Sequence, residues 1–265
     1  MTDQRIPSGI DTSRPSVARM YDYYLGGKDN FAIDREAVGR VEAAMPEVRQ
    51  LALENRAFLR RAVRYLVASG VRQFIDIGAG LPTAGNTHEV AQRAAPESRV
   101  VYVDNDPIVL AHGRALLAAD ELTTVIGADL RRPADVIGDP ELRRLIDFSE
   151  PVGVLLIAMT HFLVEEEFEP VMGSLRDALA PGSHVALTHV TSDHHSPEAV
   201  VGVEAAYRAT PTPIYFRRHD EILRLFDGFD LVEPGLVTID AWRPDPADPA
   251  PEATGWLHGG VAVRR

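Results

Sequence analysis

Five short apolar runs in this 265-residue chain end in groups able to do chemistry. FIDI carries Asp76 and runs into Gly78 and Gly80; RVVYVD ends at Asp104; TTVIGAD ends at Asp129. VGVLLIAM is followed by Thr160, His161 and Phe162, and HVALTHV ends at His189 and Val190. Two glycines one residue apart let a ligand come close to the backbone. Asp104, 24 residues beyond Gly80, is placed to accept both hydroxyl hydrogens of a ribose, and Asp129 to accept from an exocyclic amine of adenine. Asp76, beside the glycines, suits a positive pole. His161 carries the one side chain whose ordinary pKa, about 6.5, makes it a general base near neutral pH.

The same residues argue about phosphate. A dinucleotide fingerprint needs a third glycine or alanine three residues past the second, and that position is Thr83. Pro82 stiffens the loop, and the next helix starts only near Thr87, so a pyrophosphate would lack a helix N-terminus to sit on. An NAD-type dehydrogenase is therefore the weaker reading. Acids at three run ends with no phosphate cradle describe S-adenosyl-L-methionine, which joins a cationic sulfonium, an amino-acid tail, a ribose and an adenine.

These groups are useful only if one framework brings them to one place. The runs at 73–78, 99–104, 123–129, 152–159 and 184–190 read as strands, the fourth apolar throughout as in a strand buried on both faces. Helical patterns separate them, at about 87–94 with Asn86 and Glu89 as a capping box, from Asp106–Pro107 through Ala119, and at 165–179. Helices at 197–208 and 219–226 follow, and 229–239 and 256–263 read as a last pair of strands around the loop RPDPADPAPE. Alternation of this kind predicts a parallel sheet with helices on both faces, whose ligand sits beyond the carboxyl ends of the strands. Before it, 15–66 is helical, broken at Gly26–Gly27, with further helices at 31–44 and 47–68. The first dozen residues read as disordered or loosely docked. The expected division is a helical N-terminal extension or lid at 1–69 and a ligand-binding domain at 70–265.

Composition narrows the partners. A formal charge of −12 opposes a nucleic-acid binder, whose affinity comes from a basic surface; the basic stretches at 60–64 and 217–219 read as solvated faces. There is no run of about 18 apolar residues for a membrane span and no apolar leader at the start, so a cytoplasmic address is expected. With no cysteine, disulfides, thiolate metal sites and thiol nucleophiles are excluded. His194 and His195 are adjacent in an exit loop and point apart, so no metal is expected.

The motifs also carry a resemblance. DIGAG, VDND and GADL resemble the first three motifs of class I S-adenosylmethionine-dependent methyltransferases. YDYYLGGKDNF, LPTAGNTHEVAQ, YVDNDPIVLAHGRALL, PGSHVALTH and GGVAVRR resemble an actinobacterial group of S-adenosyl methyltransferases without an assigned substrate. The resemblance spans nearly the whole chain. It implies a Rossmann-like seven-stranded methyltransferase sheet, mostly parallel with an antiparallel last pair. It also implies cofactor contacts at Asp76, Gly78, Gly80, Asp104–Asn105, Asp129–Leu130 and around His161. The N-terminal helices then act as a lid: Arg19 or Lys28 reaches the cofactor carboxylate, while Tyr21, Tyr24 and Asn30, with His189, line the substrate space. The expected activity is methyl transfer to a small or medium molecule by direct displacement. The alternative is a sensor that binds S-adenosylmethionine or S-adenosylhomocysteine without catalysis.

Overall fold

The computed structural model describes residues 11–83, 85–117, 120–246 and 253–265. Three helices come first: α1 (Val17–Tyr24), α2 (Ala32–Ala44) and α3 (Val48–Ala68). The strands are β1 (Gln73–Ile77), β2 (Arg99–Asp104), β3 (Thr123–Gly127), β4 (Gly153–Leu156), β5 (His184–Val190), β6 (Asp230–Leu231), β7 (Val237–Thr238) and β8 (Leu257–Val263). Their order is β3-β2-β1-β4-β5-β8-β6, with β7 also on β8. Pairs among the first five are parallel, and β8 runs antiparallel to β5, β6 and β7. Between strands lie α4 (Thr87–Ala94), α5 (Pro107–Leu116), α6 (Pro133–Gly138), α7 (Pro140–Leu145), α8 (Phe168–Ala178), α9 (Pro197–Tyr207) and α10 (His219–Leu223).

Strand period explains the two cores. Phe74, Val100, Leu155 and Ala186 face one side, where they pack with Phe58, Ala62 and Leu66 of α3. Their neighbours Ile75, Val101, Leu156 and Val185 face the other, against Val171 and Leu175 of α8. All five residues of β1 are buried, as expected when helices cover both faces. The apolar positions of α3 recur at helical spacing, so its inner face lies on the sheet while its N-terminal half overhangs the strand ends.

The structure departs from the expected elements in several places. The run at 152–159 stays in the sheet only through Leu156, because the chain turns at Ala158, whose φ is +56°. The segment 229–239 is not one strand. Gly235, with φ +90°, donates to Val232 O in a turn that splits it into β6 and β7, so eight strands fill seven positions. The short helices α6 and α7, which no apolar period announces, each begin with a proline at the first turn. Asn86 and Glu89 make no capping box: Asn86 Oδ1 accepts from Thr83 N and Glu89 Oε2 from Gly85 N. Helix α5 ends at Leu116, and Ala118–Ala119, like residues 1–10, lie outside the described residues. Arg61 is not on a solvated face; it is 4% exposed and donates to Trp242 O and Ile239 O. Arg217, in the second basic stretch, is also buried.

Candidate functional site

The carboxyl ends of β1 to β4 open on one cavity of about 530 Å³, a size suited to a ligand of nucleoside dimensions or larger. Its floor is the loop after β1. Gly78 and Gly80 have φ of +75° and +66°, which glycine adopts without penalty. A Cβ on Gly78 would collide with the Met159 side chain, 1.9 Å from its sulfur, so the loop and the exit of β4 share a surface that no larger residue permits.

Asp104 closes β2 and is nearly buried. Gly80 N donates to its Oδ2 and Asp106 N to its Oδ1, both at 2.9 Å. A carboxylate has about four lone-pair positions, so each oxygen keeps capacity for a further donor. Burial raises its pKa. Asp106 caps α5 through Ile108 N and accepts from Ser16 Oγ at 2.5 Å. That bond ties the N-terminal segment over the cavity, where Asp11, Arg14, Pro15 and Ser16 form part of the wall.

At the other side of the glycine loop lies Asp76, buried and accepting from Thr87 Oγ1 at 2.6 Å. Burial pushes its pKa up to about 6, against the opposing pull of Arg56. Arg56 projects from α3 into the cavity wall and donates to Gly85 O at 2.9 Å. Its Nε is buried with no hydrogen-bond partner among the described residues. A buried guanidinium N–H without an acceptor is costly in isolation, so this atom marks a place for an anionic oxygen.

The expected residues do not all arrive. Asp76, Gly78, Gly80, Asp104, Asn105, Asp129, Leu130, His161, Arg19, Tyr21 and Tyr24 line the cavity; Lys28, Asn30 and His189 do not. Asp22 Oδ2 accepts from Asp29 N and Asn30 Nδ2, folding the Gly26–Gly27 loop back on its own helix and leaving Lys28 exposed. His189 is fully buried; its Nδ1 donates to Val190 O, and its Nε2 accepts from Arg217 at 2.9 Å. Arg19 reaches the wall, and three of its five N–H donors go to Asp34 at 2.8 Å, Asp11 O and Arg14 O. It thereby holds the overlying segment. The Asp129 carboxylate is clasped by Arg131, with the shortest contact at 2.7 Å, so it meets the cavity as half of an ion pair.

His161 needs the largest revision. It is 4% exposed, with Nδ1 unpartnered among the described residues and its ring against Phe162 and His189. Burial first, and the nearby Arg217 cation second, push its pKa down to about 3. The imidazole is therefore neutral across the physiological range, and a base this weak is ill matched to deprotonating a hydroxyl.

A model of the S-adenosyl methyltransferase family matches residues 3–265. The chain belongs to that family. A candidate methyltransferase of Thermobifida fusca YX is 43% identical over 99% of both chains, with a TM-score of 0.91. A DUF574-family protein of Streptomyces avermitilis MA-4680 is 39% identical, covering 96% of this chain and 99% of its own, with a TM-score of 0.87. A Burkholderia thailandensis 1,6-didemethyltoxoflavin N1-methyltransferase, solved with 1,6-didemethyltoxoflavin and S-adenosylhomocysteine, shares the fold alone, at 17% identity over 79% of each chain and a TM-score of 0.50. A search of curated proteins found no match.

The chain is thus an S-adenosyl-L-methionine-dependent methyltransferase with a mostly parallel sheet and helices at its N-terminus. The residues present fit that cofactor on the observations above: a glycine loop open to close approach, paired carboxylates for a diol and a cation, and an orphaned buried Arg56 Nε. The sequence does not single out Arg56 or its neighbour Asn55, because α3 carries five arginines and only the fold shows which one turns into the cavity. No described helix is long and apolar enough to cross a membrane.

Proposed function

We propose that this methyltransferase transfers a methyl group by direct displacement to a small or medium molecule held between the strand ends and the N-terminal helices. The division at 1–69 and 70–265 is taken as cap and catalytic unit. When bound, S-adenosylmethionine supplies an activated methyl on a cationic sulfur. Asp104, held by Gly80 N and Asp106 N, accepts from the ribose hydroxyls. Asn105, Leu130 and the Asp129–Arg131 pair border the adenine. Asp76 faces the ammonium, and Arg56, in place of Arg19 or Lys28, donates to the carboxylate. Gly78 and Gly80 let the amino-acid end lie against the backbone.

The protein's remaining work is alignment and exclusion of water. Neutral His161 and Phe162 form the wall at the exit of β4, a positioning role that does not require His161 to take a proton. The acceptor then either has no proton to lose or releases it outside the ring of buried groups.

The buried Arg56 Nε, without a hydrogen-bond partner among the described residues, and the Asp76 carboxylate whose charge it favours support this reading. Calorimetry separates the two ends. Arg56→Gln should weaken S-adenosylhomocysteine roughly tenfold, about 1.4 kcal/mol, while leaving adenosine unchanged. Asp104→Ala should weaken both by about 2 kcal/mol, the worth of hydrogen bonds to a charged group. Equal losses of both ligands on Arg56→Gln would remove Arg56 from the carboxylate.

A further inference from the structure

Past the strand ends the cavity continues into a chamber walled by other elements. Val41 and Met45 come from α2 and its end, Val203 and Tyr207 from α9, and Ile214 and Phe216 from the segment before α10. Helix α9 reaches α2 because Gly202 has no side chain; a Cβ there would lie 2.7 Å from that of Ala44. Every charged residue lining the cavity comes from the overlying segment, α1, Arg56 of α3, or the strand ends and the turns that follow them. None comes from α2, α9, residues 211–216 or β8 among the described residues. An ion placed in this chamber would lose its hydration without gaining a partner, and such burial is prohibitive.

The chamber instead offers rings and two hydroxyls. Tyr21 and Tyr24 meet edge to face at 6.4 Å, and Phe162 and Tyr207 are tilted at 6.2 Å. Tyr21 OH is committed: it accepts from Asn55 Nδ2 and donates to Ala52 O. Asn55 Oδ1 in turn accepts from Thr188 Oγ1, which accepts from Ala158 N. This chain fixes α1 and α3 to the turn after β4. Tyr24 and Tyr207 differ. Their hydroxyls lie 3.5 Å apart, at the limit of a hydrogen bond, and neither has another partner among the described residues. Both side chains are more than nine-tenths buried. Two buried phenols joined by one long bond retain an O–H and several lone pairs for a guest.

We propose that the methyl acceptor is an uncharged aromatic molecule, and that its polar substituent is read by the Tyr24 and Tyr207 hydroxyls, which determine specificity. This deepens the methyltransferase reading and rests on it. Aromatic faces favour a planar guest by stacked or edge contacts. A site built to hydrogen-bond a substituent discriminates strongly against analogues lacking it.

The test is calorimetric titration, at about pH 6, of the protein saturated with S-adenosylhomocysteine, using 2-naphthol, indole and 7-hydroxycoumarin as neutral probes and 2-naphthoate as an anion on the same ring system. At least one neutral probe should bind one to one, and 2-naphthoate at least tenfold more weakly than 2-naphthol. Tyr24→Phe and Tyr207→Phe should each weaken the bound hydroxylated probe several-fold, and Val203→Phe should weaken every neutral probe that binds by narrowing the chamber. S-adenosylhomocysteine affinity should stay unchanged in every variant, which also reports that each one folds. If S-adenosylhomocysteine binds but no neutral probe does, or 2-naphthoate binds as well as 2-naphthol, the aromatic assignment is overturned. Unchanged probe affinity in both tyrosine variants would overturn the specificity role. If S-adenosylhomocysteine itself fails to bind, it is the underlying cofactor reading that falls.

Discussion

Asp76 is the residue whose chemistry depends most on its place. Its carboxyl is pushed up to about 6 by burial, so below that pH it is largely protonated and cannot pair with a cation. Binding of the ammonium and sulfonium cofactor favours the deprotonated form. Affinity should therefore rise with pH through about 6 and level off above 7, and Asp76→Asn should flatten the profile. Calorimetry of S-adenosylmethionine between pH 5 and 8 checks this, and a flat wild-type profile contradicts it. Asp76 and Asp104 could be found from sequence because an acid at a strand end has few places to be. Arg56 and the protonation behaviour of His161 could not, since both depend on which groups other elements bring alongside.

At the scale of elements, the cavity is closed by a segment anchored from below. Arg19 and Asp34 form an ion pair at 2.8 Å, 2% and 0% exposed, and Arg19 also holds the carbonyls of Asp11 and Arg14. Asp34 additionally accepts from Ser16 N and Phe31 N. Removing one partner of a buried pair leaves the other uncompensated. Arg19→Ala should cost about 3 kcal/mol in urea unfolding and speed release of S-adenosylhomocysteine as the segment loosens. Unchanged stability would show that the pair does not anchor it. The spacing of YDYYLGGKDNF revealed helices broken at Gly26–Gly27. It did not reveal that Asp22 draws Lys28 and Asn30 away from the ligand, because a polar side chain in sequence carries no sign of which partner claims it.

Across the whole molecule, α3 joins the cap to the end of the chain. Glu54, buried on α3, accepts from Thr254 N at 2.9 Å and Thr254 Oγ1 at 2.8 Å. Burial pushes its pKa from an ordinary 4.5 up to about 7. The folded state thus holds the proton more tightly than the unfolded chain. This group's stabilisation is full below 4.5 and is lost as pH rises through 7. Asp76 acts in the same direction. Buried His161 and His189, whose pKa values burial lowers, act in the opposite direction, so the readout is the difference between wild type and Glu54→Gln. By urea unfolding, the wild type should lose stability relative to the variant from about pH 4.5 to 7. An identical pH dependence in the two would exclude Glu54 as a source. The alternation of strands and helices made the sheet legible, since each buried strand had to be apolar. The splitting of 229–239 was not, because its apolar residues serve two separate pairings with one strand.

The strand ends, on this reading, hold an adenosyl group without phosphates. The most direct measurement is calorimetric titration of the wild-type protein with S-adenosylmethionine, S-adenosylhomocysteine and NAD. The predicted result is one-to-one binding of both adenosyl ligands and none of NAD. Binding of NAD, or of neither adenosyl ligand, would contradict it.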